Sequence, residues 1–374
     1  MKFIIEHEDK KSKARAGRLI TPHGEIETPI FMPVGTLGAV KGLGSEDLED
    51  IGAQIILGNT YHLFARPGLD IIGKAGGLHN FMQWNKPLLT DSGGYQVFSL
   101  KDFRKITEEG AHFQSHVDGS KHWFTPESVV EAQRIIGSDI TMPFDECVAF
   151  PCEKGEAAGA MHRTHRWLDR AIKSFRANPG KQSLFGIIQG STYEDLRLES
   201  TAFVSNADVD GIAIGGLSVG EPAEQMYQHT EVVANAVRRD KPLYLMGVGT
   251  PHNLIESVTR GVDMFDCVMP TRNARNGMVF TSQGRLHYKD GKYKEEVNRP
   301  LDPACNCPVC RKYSVAYLRH LFKCGHLTVL RLATLHNLYF YLATMREMRK
   351  AILEDRFSEW KMETLAGYDR GVII

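Results

Sequence analysis

Within this 374-residue chain, the segment 261–277 holds the residues best suited to chemistry: one carboxylate, Asp266, and two arginines, Arg272 and Arg275. The apolar residues before Asp266 predict a short strand, and those after it predict a loop that carries both arginines. A carboxylate beside two guanidiniums suits a reaction that develops positive charge next to a bound phosphate backbone. A plainer interpretation is that Asp266 pairs with Arg272 and caps the strand, since structural ion pairs are common. The other strand ends decide between the two.

Five further apolar runs also end at residues that could bind or react with a ligand. At these strand exits lie Asp91, Asp145, Gln189, Gly216, Leu217 and Met246. If the strands are parallel, their carboxyl ends lie at one edge, and three carboxylates converge there. Like charges placed close together cost free energy, so a structural need does not explain them. The pattern therefore favours a catalytic site over a capping ion pair.

Eight apolar runs of strand length must position these residues. They are 29–34, 54–57, 87–90, 140–144, 184–188, 211–214, 242–246 and 263–265. Most are separated by helical patterns, with N-cap and proline signals at Thr125-Pro126 and Thr250-Pro251 and stops at Gly137 and Gly261. Unalternating strands separated by helices predict a parallel (β/α)8 TIM-type barrel, whose chemistry lies at the carboxyl ends of its strands. A doubly wound open sheet is the alternative, but no G-x-G-x-x-G follows the first strand.

Segments outside this repeat suggest the domain organisation. Residues 1–28 predict a hairpin that turns at 22–24, and the polar segment 101–124 predicts a second hairpin at 118–119 over one end of the barrel. We expect the barrel with its N-terminal hairpin and active site in residues 1–277. A small zinc-binding subdomain packed on the barrel is expected in 278–350, including a long helix from about Thr328 to Leu353. Residues 351–374 would form a C-terminal tail.

A cysteine cluster, Cys305-x-Cys307-x2-Cys310, provides the metal signal. Three thiols this close repel as thiolates or oxidise unless a metal holds them, so a zinc site is favoured. Spacing alone leaves the fourth ligand open among His320, Cys324, His326 and His336.

Composition is that of an ordinary globular chain, and Lys plus Arg equals Asp plus Glu at 45 each. The charge is unevenly distributed, because residues 267–350 hold 15 Lys/Arg against 5 Asp/Glu. Such an asymmetry predicts a polyanion-binding end. Seven cysteines, an odd number, do not form a secreted disulfide framework, and the N-terminal apolar run is too short for a signal peptide. We expect a cytoplasmic protein that does not span a membrane.

The predicted mouth of the barrel suits one kind of ligand. A carboxylate accepts two hydrogen bonds from the ring N–H and exocyclic amine of guanine, whereas Gln and backbone N–H groups suit its carbonyl oxygen. Tyr95 and Met246 could hold the two faces of the base. The remaining carboxylates resemble the nucleophile and proton-transfer pair of retaining glycosyl chemistry.

Five stretches closely resemble the bacterial tRNA-guanine transglycosylases. They are DSGGYQVF at 91–98, FGIIQG at 185–190, GGLSVGE at 215–221, YLMGVG at 244–249 and the segment 263–277. The cysteine cluster with a downstream histidine resembles that family too, and the resemblance covers essentially the whole chain. It implies exchange of the wobble guanine of GUN-anticodon tRNAs (those for Asp, Asn, His and Tyr) for 7-aminomethyl-7-deazaguanine, on the route to queuosine. It also implies a homodimer.

The same resemblance assigns roles to residues. Asp266 would be the nucleophile, and Asp91 the general acid and base. The base would be bound by Asp145, Gln189, Gly216 and the Leu217 backbone, between Tyr95 and Met246, while Arg272 and Arg275 would contact RNA phosphates. His336 would complete the structural zinc site with Cys305, Cys307 and Cys310.

Two other classes of function compete with this one. A barrel hydrolase of nucleosides or glycosides also needs two carboxylates, but it needs no basic appendage held by zinc. A non-enzymatic RNA-binding protein would explain the basic end but leave Asp91, Asp145 and Asp266 without a purpose.

Overall fold

Eight parallel strands form a closed barrel in a computed structural model that describes residues 1–100, 104–115, 118–178 and 180–370. The barrel strands are β4 (Ile30–Met32), β5 (Ile56–Asn59), β6 (Leu88–Asp91), β10 (Ile140–Thr141), β11 (Ser183–Ile188), β12 (Gly211–Ile214), β13 (Leu243–Leu245) and β14 (Met264–Asp266). Their order in the sheet is β4-β14-β13-β12-β11-β10-β6-β5. Beyond β4, the Leu57 N–H donates to Pro33 O at 2.9 Å and the Gly35 N–H donates to Leu57 O at 2.7 Å. These bonds join β5 to the chain after β4 and close the sheet, so the predicted barrel is confirmed.

The remaining strands form three antiparallel sheets. These strands are β1 (Lys2–Glu8), β2 (Arg15–Thr21), β3 (Gly24–Thr28), β7 (Arg104–Ile106), β8 (Ala111–Gln114), β9 (Lys121–Phe124), β15 (Val279–Thr281) and β16 (Gly284–Leu286). β1–β3, β7–β9 and β15–β16 each form one sheet.

Helices occupy most of the rest of the described chain. They are α1 (Ser45–Asp50), α2 (Thr60–Ala65), α3 (Leu69–Lys74), α4 (Leu78–Met82), α5 (Gly94–Ser99), α6 (Pro126–Ile136), α7 (Lys154–Ala177), α8 (Glu194–Asn206), α9 (Ala223–Ala236), α10 (Pro251–Thr259), α11 (Met269–Arg275), α12 (Val315–Lys323), α13 (Thr328–Leu353) and α14 (Phe357–Arg370), with one 3-10 turn at Gly291–Tyr293. Thr125 and Thr250 cap α6 and α10 through their side chains, and Gly137 ends α6 in the left-handed conformation, as predicted. No described helix is both long and apolar enough to cross a membrane.

Alternation along the strands separates the barrel interior from the helix-facing surface. Leu89, Ile187, Tyr244 and Met264 belong to the buried cluster inside the barrel, whereas their chain neighbours pack outward against the helices. Because side chains alternate along a strand, the inward position two residues after each of these lies at the carboxyl end of its strand. Three of those positions are Asp91, Gln189 and Asp266. We call this end the upper end and the opposite one the lower end.

Four strands begin at the lower end with a side chain that accepts a backbone N–H from a neighbouring strand or segment. Asp139 accepts from Leu88 N at 2.9 Å and Asp263 from Leu243 N at 2.7 Å. Asp210 and Gln54 do the same for Leu184 N and Glu27 N. These contacts explain why the chain repeats a corner ending in Asp or Gln, since each satisfies an N–H that the strands alone leave unpaired.

The N-terminal segment is a three-stranded sheet, not the predicted hairpin. The turn expected at 22–24 does join β2 to β3, but β1 pairs with β2 through a second turn at residues 9–14. Leu19 and Ile26 from this sheet belong to the cluster inside the barrel and so plug its lower end. From α13, the Arg349 guanidinium donates to Gly17 O at 2.9 Å and fixes the sheet.

Other expectations meet mixed outcomes. The hairpin at 118–119 is confirmed, since β8 and β9 pair antiparallel, although 101–103 and 116–117 lie outside the described residues. The stretch with Arg272 and Arg275 is helix α11 rather than a loop. Residues 357–370 of the expected tail form α14, and 371–374 lie outside the described residues. The helix expected from about Thr328 to Leu353 has those bounds. The division into domains remains a prediction.

Candidate active site

Asp91 ends β6 at the upper end and is held by three donors. The Thr60 N–H donates to Oδ1 at 2.9 Å, and the amides of Gln96 and Asn59 donate to Oδ2, the former at 3.0 Å. Burial raises the pKa of Asp91 to about 6 although these hydrogen bonds oppose the shift, and the charge of Asp266 adds to it. A carboxyl group with a pKa near neutrality can both give and take a proton at physiological pH.

Asp266 ends β14, two residues after the inward-facing Met264. Its Oδ1 accepts the Tyr244 hydroxyl at 2.5 Å and the Gly247 N–H at 2.9 Å. Burial raises the pKa of Asp266 against these two bonds. In the described residues no ion pair joins Asp266 to Arg272, so the strand-capping interpretation fails. Both described donors engage Oδ1, which leaves Oδ2 for the reacting partner.

Asp145 lies 8% exposed beside Gln189. Ser92 Oγ donates to its Oδ1 at 3.0 Å, and Gln189 Nε2 donates to its Oδ2 at 2.8 Å. Burial raises the pKa of Asp145 to about 6 despite both bonds. A Cβ at Gly94 would lie 2.4 Å from Oδ1, so the absence of a side chain at Gly94 leaves room for this carboxylate. The structure therefore brings Asp145 and Gln189 together, as expected of a polar base-binding edge.

Gly216 and Leu217 follow β12 and pass directly beside Gln189. Gly216 has φ +63, and a Cβ there would lie 2.4 Å from Gln189 Oε1, so no larger residue fits. The next turn is held by Glu221, whose carboxylate accepts the N–H groups of Ser218 and Val219, the latter at 3.0 Å. Since C=O and N–H of a trans peptide point in opposite directions, the Leu217 carbonyl faces away from Glu221.

The other residues predicted to bind the base or the RNA lie at the same upper end of the barrel but touch one another less. Tyr95 lies on α5 with 57% of its surface exposed, and Met246 is half-buried at the top of the interior cluster. Arg272 is exposed on α11, and Arg275 is half-buried and donates to Thr271 O at 2.8 Å. Among the described residues neither arginine has a carboxylate within ion-pair distance. Both guanidiniums are therefore available to an external anion.

Cys305, Cys307, Cys310 and His336 form a four-ligand cluster whose ligand atoms all lie within 4.8 Å of one another. His336 Nδ1 is 3.4 Å from Cys307 Sγ and 3.3 Å from Cys310 Sγ. Its Nε2 lies 2.8 Å from Phe280 O, and a proton donated there leaves Nδ1 free as a ligand. The cluster could hold a metal ion, and it selects His336 from the four candidates that spacing had left open.

The cluster is joined to the catalytic segment through α13. Asn337, adjacent to His336, donates to Pro270 O at 2.8 Å and accepts from Phe280 N at 3.0 Å. One turn further on, the Tyr341 hydroxyl donates to Gly249 O. A metal at the cluster would therefore fix α13 against α11 and the segment that follows Asp266.

Sequence reasoning missed several residues of the site. Tyr244 could have been found, because it occupies the inward position two residues before Met246. Asn59 ends β5 in the same way, and Gln96 lies in the DSGGYQVF stretch on α5. Glu221 lies in the GGLSVGE stretch, but its bonds to backbone N–H groups could not be predicted, because a charged residue in a turn usually lies in solvent.

A closed (β/α)8 barrel with three acidic residues at the carboxyl ends of its strands and a Cys3His cluster fastened beside them defines a barrel enzyme with a metal-binding appendage. The sequence model of the queuine tRNA-ribosyltransferase family matches residues 9–370. A queuine tRNA-ribosyltransferase of Ruminiclostridium cellulolyticum is 55% identical, with 96% of each chain covered. That of Caldanaerobacter subterraneus is 54% identical, with 98% of each chain covered. That of Aquifex aeolicus is 55% identical, with 95% of this chain and 96% of the relative covered. The chain belongs to the queuine tRNA-ribosyltransferase family, whose members are glycosyl-transferring enzymes.

Proposed function

We propose that this protein exchanges the wobble guanine of tRNAs with GUN anticodons for 7-aminomethyl-7-deazaguanine, a step toward queuosine. The main support is the pair formed by Asp91 and Asp266, which end β6 and β14 at the same end of the barrel and are each held by hydrogen bonds. Glycosyl transfer with retention needs such a pair, one group as nucleophile and one as acid and base. Membership of the family supports the choice of tRNA as substrate.

In this proposal Asp266 attacks the anomeric carbon of the ribose, and the bond from that carbon to guanine breaks. The electron pair of that bond leaves with guanine, which Asp91 protonates. The incoming base then gives a proton to Asp91 and attacks the same carbon, and the bond to Asp266 breaks. Two inversions give net retention. The Tyr244 hydroxyl and Gly247 N–H hold Asp266 Oδ1 in place, which directs its second oxygen to the sugar.

Base recognition falls to the edge formed by Asp145, Gln189 and Gly216. The Asp145 carboxylate accepts from the ring N–H and exocyclic amine of guanine, while the Gln189 amide and the Gly216 N–H face the carbonyl oxygen. Binding favours the ionised form of Asp145, because two donors replace part of its hydration. The Leu217 carbonyl, which faces away from Glu221, can accept from the aminomethyl group of the second substrate, and Tyr95 and Met246 cover the base.

The charge distribution supports RNA as the partner. Arg272 and Arg275 extend from the helix that follows Asp266 and would hold phosphates on either side of the extruded nucleotide. We further propose the tRNAs for Asp, Asn, His and Tyr as substrates, a cytoplasmic location and a homodimer. The homodimer agrees with large exposed apolar side chains in the appended segment, Tyr317 and Leu327, which are 42% and 78% exposed.

We propose Zn²⁺ as the ion of the Cys3His cluster. Thiolate and imidazole ligands suit zinc, and four protein ligands close its tetrahedral shell, so this zinc would be structural. The buried Cys307 and His336 leave the ion no open position for substrate.

The proposal is tested by incubating the purified protein with unmodified tRNA and radiolabelled guanine. We expect label to enter the tRNA at the wobble position only, and unlabelled 7-aminomethyl-7-deazaguanine to chase it out irreversibly. Release of free guanine without incorporation would instead identify a hydrolase. If guanine were neither released nor incorporated, both functions would be excluded.

A further inference from the structure

Arg197 is a buried cation that the chemistry described so far does not use. It lies on α8, is 0% exposed, and makes its hydrogen bonds to backbone carbonyls rather than to a carboxylate. Its Nε donates to Ser191 O at 2.7 Å and its Nη1 to Ile188 O at 3.2 Å, both at the end of β11. The same guanidinium donates to Gly215 O at 2.7 Å and to Gly216 O at 3.0 Å, at the end of β12.

These bonds fix the direction of two peptide groups in the proposed base-binding edge. In a trans peptide the N–H points opposite to the C=O. Because the carbonyls of Gly215 and Gly216 point at the guanidinium, the N–H groups of Gly216 and Leu217 point away from it. A Cβ at Gly216 would lie 3.5 Å from Arg197 Nη2 and 2.4 Å from Gln189 Oε1, so this backbone lies between the cation and the Gln189 amide.

A glycine pair would not hold this arrangement by itself. Two successive glycines have wide conformational freedom, and Gly216 is held at φ +63. The guanidinium is planar with a rigid fork of donors, so it can fix several carbonyls at once in a way that a lysine cannot.

We propose that Arg197 is a positioning residue for recognition of the 6-oxo group of the base. It orients the Gly216 and Leu217 N–H groups toward the carbonyl oxygen and places a positive charge behind them. This inference rests on the proposed function, in which Gly216 binds that oxygen. Negative charge that develops on the departing guanine is partly carried by its carbonyl oxygen, so the same arrangement favours departure of the base.

The protonation of Arg197 is compatible with this role. Burial lowers the pKa of Arg197 to about 10, although the charges of Cys147 and Glu221 oppose the shift. The guanidinium therefore stays charged at neutral pH without a carboxylate bonded to it. Its charge remains available to the peptide groups it contacts.

A second buried arginine provides a matched control. Arg15 is 3% exposed at the lower end and also donates to two carbonyls, those of Arg239 and Lys241. Unlike Arg197, it is paired with a carboxylate, Asp263, at 2.7 Å. Arg15→Met thus removes a buried arginine that also binds backbone carbonyls but lies far from the proposed base-binding edge.

The test compares Arg197→Met, Arg197→Lys and Arg15→Met with the wild type in tRNA-guanine exchange. For Arg197→Met we expect KM for guanine to rise at least tenfold and KM for tRNA to stay within twofold. Arg197→Lys should recover part of the loss, because it keeps the charge but reaches fewer carbonyls. Arg15→Met should lower the melting temperature and leave both KM values unchanged.

A second readout isolates the carbonyl oxygen. 6-Thioguanine keeps the ring N–H and the amine of guanine but presents a sulfur, which accepts hydrogen bonds weakly. In the wild type, unlabelled guanine should inhibit incorporation of labelled guanine more strongly than 6-thioguanine does. Both Arg197 variants should lose most of that preference. The inference would be overturned if the Arg197 variants kept both the preference for guanine and the wild-type KM for guanine. It would also be overturned if their KM values for guanine and for tRNA rose equally. Should Arg197→Met not fold, the Arg197→Lys results decide alone. A wild type without exchange activity would refute the proposed function instead.

Discussion

The two ends of the barrel use the same residue type in opposite ways. At the lower end Asp139, Asp210 and Asp263 each accept a backbone N–H and each have a cationic or histidine partner, such as Arg15 for Asp263. At the upper end, in the part of the chain that the structure describes, Asp91, Asp145 and Asp266 have no Lys, Arg or His within ion-pair distance. Their donors are amides, hydroxyls and backbone N–H groups.

The difference appears in the pKa values. Burial alone would raise the pKa of Asp139, but hydrogen bonds from His79, His23 and the Leu88 N–H hold it below its usual value. At the upper end burial prevails, and the pKa values of Asp91 and Asp145 rise to about 6. An aspartate with a neutralising partner stabilises the fold, whereas one without such a partner is kept ready to exchange a proton or to bind donors.

Removal of the proposed zinc ion should have the largest effect and should act mainly on the upper end. The ligand set is assembled by folding, so metal binding contributes to folding free energy, about 10–16 kcal/mol in zinc-finger peptides. In chelator-treated protein we expect a lower melting temperature and loss of exchange. Hydrogen exchange should accelerate in α11 and β15, with little change in the N-terminal sheet. Cys307→Ala should behave alike, whereas replacing the exposed Cys324 should not.

The next largest effect is expected at the lower end. Asp263→Asn leaves the Arg15 guanidinium buried without its counter-charge, which should cost about 3–5 kcal/mol of unfolding free energy. The fraction that remains folded should exchange guanine normally. Chemical denaturation and activity per active site check both statements. If guanine exchange fell while unfolding free energy held, the assignment of the two ends would be wrong.

The raised pKa of Asp91 should make the unfolding free energy depend on pH. Its pKa in the folded state, about 6, lies above the ordinary 3.8, so the folded protein binds more protons between these values and wild-type stability falls as pH rises through that window. Asp91→Asn removes this contribution, worth about 2 kcal/mol between about pH 4.5 and pH 7.5. The measurement is the unfolding free energy of both proteins at the two pH values. A wild type and variant with parallel pH dependence would refute it.

An effect of similar size concerns base affinity. Asp145→Asn replaces an acceptor of two hydrogen bonds by an amide, and a lost charge-assisted hydrogen bond is worth about 1.5–3 kcal/mol. We expect guanine KM to rise roughly tenfold or more and tRNA binding to stay within about twofold. In the wild type, guanine affinity should fall as pH drops below about 6, where Asp145 gains a proton. Equal losses of guanine and tRNA binding would indicate misfolding or another role.

Sequence reasoning reached the parts of this molecule that follow from local rules. Eight unalternating apolar runs separated by helical patterns were enough to predict the barrel and to place Asp91 and Asp266 at strand ends. The fourth metal ligand needed the resemblance or the fold, because His336 is distant in sequence from Cys305 and approaches it only when α13 packs.

Contacts between distant segments account for what was missed. The sequence predicts a loop where α11 forms, because it does not show the packing against α13 and the Asn337 bond that stabilise this short segment as a helix. The hairpin predicted over 1–28 lacks the second turn, at residues 9–14, that pairs β1 with β2. Arg197 is unrecognisable on α8 until the ends of β11 and β12 supply its carbonyl partners.

The central claim, that the upper aspartates perform glycosyl transfer through Asp266, is tested most directly by trapping the covalent intermediate. Protein and unmodified tRNA are mixed without an acceptor base, denatured and digested with nuclease and protease, and the ribosylated peptide is sequenced by mass spectrometry. We predict a denaturation-resistant adduct on Asp266 that a later addition of guanine to native enzyme dissolves, and none with Asp266→Asn. An adduct on Asp91, or one that persists in Asp266→Asn, would contradict the account.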